Sequence, residues 1–489
     1  MAKQVLAVDL GASSGRVILG RFDGERISLE EIHRFPNEPV DLGGTMYWDF
    51  LRLFHEIKQG LIKSKQYGKV DSLGVDTWGV DFGLIDKNGR LLENPVHYRD
   101  SRTKGMLDAA LELIPKESFY AVTGNQFMEI NTAFQLMSVQ KNRPELLAQA
   151  DKMLLMPNLF TFFLTGEKVT EQSIASTTQL YDQTGSCWAY RLAEKLSISE
   201  SLFTNIVPAG TKIGTLTQKI VNELDIPEMD VYAVCGHDTQ SAMAAVPALS
   251  GDFAFLSCGT WSLLGTELDE PLTDEKACAN DLTNEVGCGG KVSFLKNIIG
   301  LWLIQESRRQ WQREGRDFSF SYMEALANSA EPFRCFIDPD DPRFVPSGDI
   351  PERVRKFCMD TAQPIPATEG QVLRCIYESL ALKYRLAVEE LEACTGKSFP
   401  VIHMIGGGIR DRLLCQMTAN ACKRQVAAGP VEATALGNIA VQLIASGDIR
   451  DLSEARRSIA GSEKLTVYQP ESPMQWDKAY EDFKHIIRR

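Results

Sequence analysis

An aspartate at the end of an apolar run, followed by a turn of small residues, stands near the start of the chain as Val5-Leu-Ala-Val-Asp-Leu-Gly-Ala-Ser-Ser-Gly-Arg16. A turn built from Ala12, Ser13, Ser14, Gly15 and Arg16 brings several backbone N–H groups onto one anion, and a polyphosphate suits such a nest. Asp9 beside it is of the type that holds a hydrated Mg²⁺, because this ion keeps its waters and prefers carboxylate oxygen. Taken alone, the segment reads equally as an ordinary hairpin. About half a chain later Phe253-Ala-Phe-Leu-Ser-Cys-Gly-Thr-Trp-Ser262 repeats the pattern, and an internal repeat of this kind favours two related domains, each with its own turn.

A second constellation is Gly236-His-Asp-Thr239, after the apolar run 231–234. A carboxylate at a strand end is well placed to take a proton from an alcohol. The structural alternative for Asp238 is an N-cap for a helix beginning near Gln240, and the two roles are compatible. His237 taken singly reads as a structural histidine. Met404-Ile-Gly-Gly-Gly408 lies between a strand and a helix and resembles a nucleotide-binding turn, but it has neither the dinucleotide fingerprint nor a following Gly-Lys-Ser/Thr. Asp338, Asp340 and Asp341 are interrupted by Pro339 and read as a solvated acidic loop.

The elements that must position these groups follow from the pattern. Residues 4–35 alternate as three strands with turns at 13–15 and 23–24, then a helix over about 50–63 and a buried strand at 72–79. The second half repeats the order, with strands at 253–258 and 261–267, a helix from about 301 and a long helix over 369–394. In that helix Leu373, Ile376, Leu380, Tyr384, Val388 and Leu391 share one face. A strand at 401–405 feeds the glycine triplet. The expected architecture is α/β, with two ribonuclease H-like (actin-like ATPase) domains facing across a cleft, 1–247 and 248–489, joined near 245–251. The aromatics at 160–163, Trp261 and Trp302 read as core.

Length by itself gives about three domains, whereas the repeat argues for two. A net charge of −13 speaks against nucleic acid or an anionic membrane as partner, so an anionic ligand must be held by local groups. The eleven cysteines show no metal-ligand spacing and fit a reducing cytoplasm. Cys358 and Cys375 bracket a proline-containing loop and are close enough in sequence to pair, although buried free thiols are the simpler reading. The apolar run 153–164 is broken at Pro157 and Asn158 and is too short to span a bilayer.

Taken in order, these segments resemble the FGGY family of carbohydrate kinases. The resemblance rests on Asp9-Leu-Gly-Ala-Ser-Ser-Gly-Arg16, Val75-Asp-Thr-Trp-Gly-Val-Asp-Phe82, Tyr98-Arg-Asp-Ser-Arg-Thr103, His237-Asp-Thr239, Ser257-Cys-Gly-Thr-Trp-Ser262, Lys296-Asn-Ile-Ile-Gly-Leu-Trp-Leu-Ile-Gln305, Thr361-Ala-Gln-Pro-Ile-Pro366 and Ala428-Gly-Pro-Val-Glu-Ala-Thr434. It implies ATP-dependent phosphorylation of a small ketose, expected to be L-rhamnulose, by a monomer or small homo-oligomer. It also implies Asp238 as proton acceptor and Gly79, His237, Asp238 and Thr239 as sugar contacts. Nucleotide contacts would be Ala12, Ser13, Ser14, Gly15, Arg16, Thr260, Asn297, Gln305 and Gly407, with Asp9 holding Mg²⁺ through water. Trp78 and Phe82 are expected as an apolar wall for the sugar methyl, and Arg99 or Gln126 as hydroxyl partners. The turn after Gly408 departs from the family pattern at Arg410 and Asp411. Competing readings are a family member acting on L-fuculose, D-xylulose or glycerol, a non-catalytic ATP-binding sugar sensor, and a nuclease on the same fold.

Overall fold

The computed structural model describes residues 3–249, 252–471 and 473–487, and its chain divides into two compact bodies. The first comprises Met1–Leu249, Leu268–Phe294 and Ala433–Ser462, and the second Ser250–Glu267, Leu295–Glu432 and Glu463–Arg489. Two stretches from the second half of the sequence therefore fold with the first body, where contiguous halves had been expected. Of the expected join at 245–251, Ser250 and Gly251 lie outside the described residues.

The first body is built on a six-stranded sheet in the order Lys212–Thr215, Asp230–Tyr232, Ser72–Thr77, Lys3–Leu10, Ser14–Phe22, Ile27–Pro36. The last three strands are the expected antiparallel meander, and Lys3–Leu10 pairs parallel with Ser72–Thr77. Helix Phe50–Ser64 starts at an Asp49 cap and turns Leu53, Ile57 and Leu61 inward, one apolar stripe at i, i+4 spacing. It lies so close to the sheet that a side chain on Gly60 would meet Val17 at 2.4 Å.

Helix Ala433–Ala445 explains why the late segment folds here. Two of its buried amides are bonded into the sheet: Gln442 Nε2 donates to the Leu6 carbonyl at 2.9 Å and Gln442 Oε1 accepts from Ser72 Oγ at 2.7 Å, while Asn438 Nδ2 donates to Asp76 at 2.5 Å. A buried amide stripped of such partners costs about 1–3 kcal/mol, so these residues fix the docking. The strand Thr283–Val286 is tied in similarly: the Asn284 N–H donates to the Gly124 carbonyl at 2.8 Å and the Val286 N–H to Ser176 Oγ at 2.9 Å. The apolar run 153–164 becomes the end of strand Lys152–Leu155 and the helix Met156–Thr165, with Pro157 in its first turn, where the missing N–H costs nothing.

The second sheet has seven strands in the order Thr283–Val286, Val292–Ile299, Trp261–Leu268, Ala254–Cys258, Val401–Ile405, Gln425–Ala428, Thr466–Tyr468. The helix Glu369–Thr395 opens with a Thr368–Gln371 capping box and closes on Gly396 in the left-handed conformation. All six residues of its expected apolar face are buried. Asp338 and Asp340 are not a free acidic loop. Each lies 2.9 Å from Lys383 Nζ, and Asp340 also accepts the Ile299 N–H. Burial would lower the Lys383 ammonium, but the two aspartates outweigh it and hold it above its ordinary value.

Candidate functional site

Asp9 closes the strand Lys3–Leu10, paired across the hairpin with Arg16 and in parallel register with Asp76. The Arg16 guanidinium forms an ion pair with the Asp9 carboxylate. Asp76 is fully buried, accepts from Asn438 through one oxygen, and has no hydrogen-bond partner at Oδ1. Burial, and then the charge of Asp9, hold its carboxyl well above the usual carboxylate range. Asp9 also raises Asp238 electrostatically, as Asp238 raises Asp76. Asp76 Oδ1, an orphaned buried carboxylate oxygen on the strand next to Asp9, is of the type a hard divalent cation takes. Nothing local to a buried strand marks an aspartate as functional, so the motif 75–82 does not by itself single out Asp76.

The turn 11–13 is braced by Asn37, whose Nδ2 donates to the Gly11 carbonyl at 2.8 Å and whose N–H donates to the Ser13 carbonyl at 3.1 Å. Ser13 at its tip is exposed, and Ala12 and Ser14 are half-buried. Gly15 has a packing reason to be glycine, since a Cβ there would meet the Phe35 ring at 2.2 Å.

Asp238 is the first residue of the helix Asp238–Ala244, and its cap position is filled by His237. The capping role considered for Asp238 is therefore not the one it has, and its side chain keeps 27% exposure. Burial pushes its carboxyl up to about 6 against the opposing pull of His237. His237 makes a 2.7 Å contact from Nδ1 to Glu285 Oε2, and its Nε2 lies 3.5 Å from Asp238 Oδ1. Burial alone would discharge this imidazole, but Glu285 first, then Asp238, hold its pKa up to about 9. Glu285 in turn accepts from Gln240 Nε2 at 2.8 Å. The result is a buried row of carboxylate, imidazolium and carboxylate ending at Asp238. Glu285 reaches His237 through its place on the strand Thr283–Val286.

Gly79 lies against this row: a Cβ there would sit 3.4 Å from His237 Nε2 and 3.3 Å from Thr177 Cγ2. The next residue, Val80, has φ = 66°, a left-handed conformation that is strained for a β-branched side chain. It is held there because its N–H donates to Thr177 Oγ1 at 3.2 Å and its carbonyl accepts from Thr132 Oγ1 at 2.6 Å. Trp78 and Phe82, expected as a wall, are core residues. The Trp78 ring centroid lies 3.9 Å from that of Trp48 with the planes tilted by 34°, and both indoles donate to Asp81 Oδ2, at 3.0 and 2.6 Å. Arg99 and Gln126 are half-buried.

The second body gathers the other expected residues. The Gly259 carbonyl accepts the Leu301 N–H at 3.0 Å and the Thr260 carbonyl accepts the Trp302 N–H at 3.1 Å, knitting this turn to the start of helix Trp302–Arg313. Thr260 Oγ1 and Gln305 Oε1 are 3.4 Å apart. Asn297 lies half-buried three residues before Gly300. Strand Ala254–Cys258 pairs in parallel with Val401–Ile405, which brings the glycine triplet to the same strand ends. Gly406 has φ = 85°, Gly408 would put a Cβ 2.5 Å from Cys258 Sγ, and Gly407 is exposed with open space where a Cβ would be. Asp411 caps helix Arg412–Cys422 and accepts from the Tyr377 hydroxyl, whereas Arg410 is exposed. The departure after Gly408 thus includes a structural cap.

Residues 4–245 match the N-terminal domain of the FGGY family of carbohydrate kinases, and 254–446 its C-terminal domain. A rhamnulokinase of Bacteroides thetaiotaomicron is 43% identical over 489 residues, covering 100% of both chains. One from Enterococcus faecalis is 40% identical over 95% of this chain and 94% of its own. Among solved structures, a gluconate kinase from Lactobacillus acidophilus superposes with a TM-score of 0.82 at 17% identity, covering 100% of this chain and 98% of that one. A glycerol kinase from Plasmodium falciparum, solved with ADP, gives 0.79 at 16% over 100% and 98%. At such identity these structures attest the two-domain actin-like fold.

Proposed function

The chain belongs to the FGGY family of carbohydrate kinases, and from that premise we infer that it transfers the γ-phosphoryl group of ATP to the 1-hydroxyl of L-rhamnulose, giving ADP and L-rhamnulose 1-phosphate. The choice of sugar is supported by full-length relatives that carry the rhamnulokinase name. The observation that carries the mechanism is the row Glu285–His237–Asp238.

Phosphoryl transfer asks the protein mainly for positioning and charge stabilisation. Asp238 takes the proton of the primary hydroxyl as that oxygen attacks the γ-phosphorus in line. A pKa of about 6 leaves its carboxylate ionised at neutral pH while keeping it basic enough to accept the proton. His237, anchored by Glu285, fixes the orientation of Asp238 and stays cationic through the step. Gly79, His237 and Thr239 are assigned to the sugar. Ala12, Ser13, Ser14, Gly15, Arg16, Thr260, Asn297, Gln305 and Gly407 are assigned to the nucleotide. Asp9, through water, would hold Mg²⁺, which when bound offsets charge on the phosphates. We place the reaction in the cytoplasm, a reducing compartment that suits eleven scattered cysteines without disulfide-framework or metal-ligand spacing.

One extra methyl group is worth only about 10–200-fold in discrimination, so related ketoses are expected as poorer substrates. The test is ADP release with Mg·ATP against L-rhamnulose, L-fuculose, D-xylulose and glycerol. L-Rhamnulose should give the highest kcat/KM. A higher value for any other acceptor would overturn the substrate assignment while leaving the family chemistry in place.

A further inference from the structure

A strained residue of the first body stands next in the chain to a residue assigned to the sugar. Val80 has φ = 66°, and across it the Asp81 N–H donates to the Gly79 carbonyl at 2.9 Å. A three-residue turn closed in this way around a positive φ is the rare, strained form of γ-turn, and a β-branched side chain at its centre disfavours it further. The turn brings the backbone to the surface at one point: from Ser72 to Ile85 every residue except Gly79 is buried. Both polar groups of Val80 are clamped. Its N–H donates to Thr177 Oγ1 at 3.2 Å, and its carbonyl accepts from Thr132 Oγ1 at 2.6 Å. The Thr177 hydroxyl hydrogen is committed to the Ile174 carbonyl at 2.8 Å, so toward Val80 its oxygen acts as an acceptor. Thr177 ends a short segment that also reaches the residues carrying Asp238. Glu171 Oε2 accepts the Gly236 N–H at 2.8 Å, and Ser173 Oγ accepts the His237 N–H at 3.2 Å.

We propose that Thr177 is a positioning residue for the acceptor sugar: its hydroxyl fixes the left-handed turn at Val80 and so sets the spacing between Gly79 and the His237–Asp238 pair. This role rests on the assignment of Gly79 and Asp238 to the sugar and adds to it the group that holds them in register. Residues 171–177 grip both halves of that site, the Gly79 turn through Thr177 and the Gly236–His237 backbone through Glu171 and Ser173. Taking away the Thr177 acceptor leaves a buried N–H without its partner. It also frees Val80 to relax toward the negative φ that its side chain prefers, and Gly79 moves with it. A Cβ on Gly79 would stand 3.4 Å from His237 Nε2, so a small rotation there changes the space left for a hydroxyl beside Asp238. The bonds of Thr177 run to Val80 and Ile174, so the loss falls on sugar affinity and not on the KM for ATP.

The test is the dissociation constant of L-rhamnulose, measured by calorimetry on the full-length protein, together with the KM for each substrate. Thr177→Val keeps the side-chain shape and removes the acceptor. It should weaken sugar binding about 2–10-fold, the worth of one hydrogen bond, with the KM for ATP unchanged. Thr177→Ser should restore most of the lost affinity. The variant that separates positioning from direct contact is Thr177→Val combined with Val80→Gly, because glycine adopts a positive φ without being held there. It should bind the sugar as tightly as Val80→Gly alone. A double variant weaker than Val80→Gly by the full Thr177→Val factor would show a direct bond to the sugar and overturn the positioning role. Gly79→Ala, measured alongside, distinguishes two failures. Weaker binding there with Thr177→Val unchanged overturns the role of Thr177 alone, whereas no change in either variant overturns the assignment of Gly79 as well. Hydrogen exchange on the wild type requires no variant to fold. L-Rhamnulose should slow exchange in peptides covering 78–82 and 173–178 together, and slowing in the first without the second would overturn the coupling.

Discussion

Replacing Glu285 by glutamine keeps the shape of the buried row and removes one charge from its far end. In the native protein that charge is the chief reason His237 is held up to about 9, some 2.5 units above an unperturbed histidine, a preference for the imidazolium of about 3 kcal/mol. Without it, burial dominates and His237 becomes neutral at pH 7. Asp238, 3.5 Å away, then loses its cationic neighbour. An opposite charge at such range is worth about 1–3 pKa units, so the Asp238 carboxyl should rise from about 6 into the range of roughly 7–9. Its ionised fraction at pH 7 falls from about nine-tenths to half or less. The assay is kcat/KM for the sugar from pH 5 to 9.5. The wild-type acid limb should lie near pH 6, and that of Glu285→Gln should move up by at least about one unit, with activity recovering toward pH 9. An unmoved acid limb, whatever the absolute rate, would refute the coupling, because a purely structural defect lowers the curve without displacing it. Linkage supplies an independent check. A folded pKa of about 9 against about 6.5 unfolded contributes stability that is complete below pH 6.5 and is lost as pH rises through 9. Denaturant melts of the wild type should show this loss, and Glu285→Gln should not.

Gly79→Ala should raise the KM for the sugar with little change in Tm, because the nearest atoms its Cβ meets are those of Thr177 and His237 at 3.3–3.4 Å; an unchanged KM would remove Gly79 from the sugar site. Gly437→Ala puts a Cβ 1.6 Å from the Ser241 carbonyl oxygen, and such overpacking costs about 3 kcal/mol or more, read as a fall in the denaturant midpoint. Asp81→Ala strands two buried indole N–H groups, so a loss of roughly 2–5 kcal/mol with a change in tryptophan fluorescence is expected.

Local chemistry was legible wherever neighbours in sequence decide the structure. The glycine- and serine-rich turns at 13–15 and 23–24 gave the meander, and the apolar face of Leu373 to Leu391 gave the long helix, since period and capping are local properties. The strand Val401–Ile405 appeared as expected. What depends on distant partners was not legible. Helix Ala433–Ala445 looks like part of the second half of the chain until Asn438 and Gln442 find their partners on the first sheet. Glu285 is an ordinary strand residue until that strand is placed beside His237. The left-handed Val80 contradicts its own side-chain preference, and only Thr177 and Thr132 explain it. At Asp238 the residue pattern suited a cap, whereas the backbone gives that position to His237.

The central claim is that Asp238 accepts the proton of the attacking hydroxyl. It is tested most directly by measuring kcat for Asp238→Asn with L-rhamnulose and Mg·ATP by coupled ADP release, alongside sugar binding and a thermal melt. The account predicts a fall of about 10²–10⁴-fold in a folded protein that still binds the sugar. Turnover within a few-fold of wild type would contradict it.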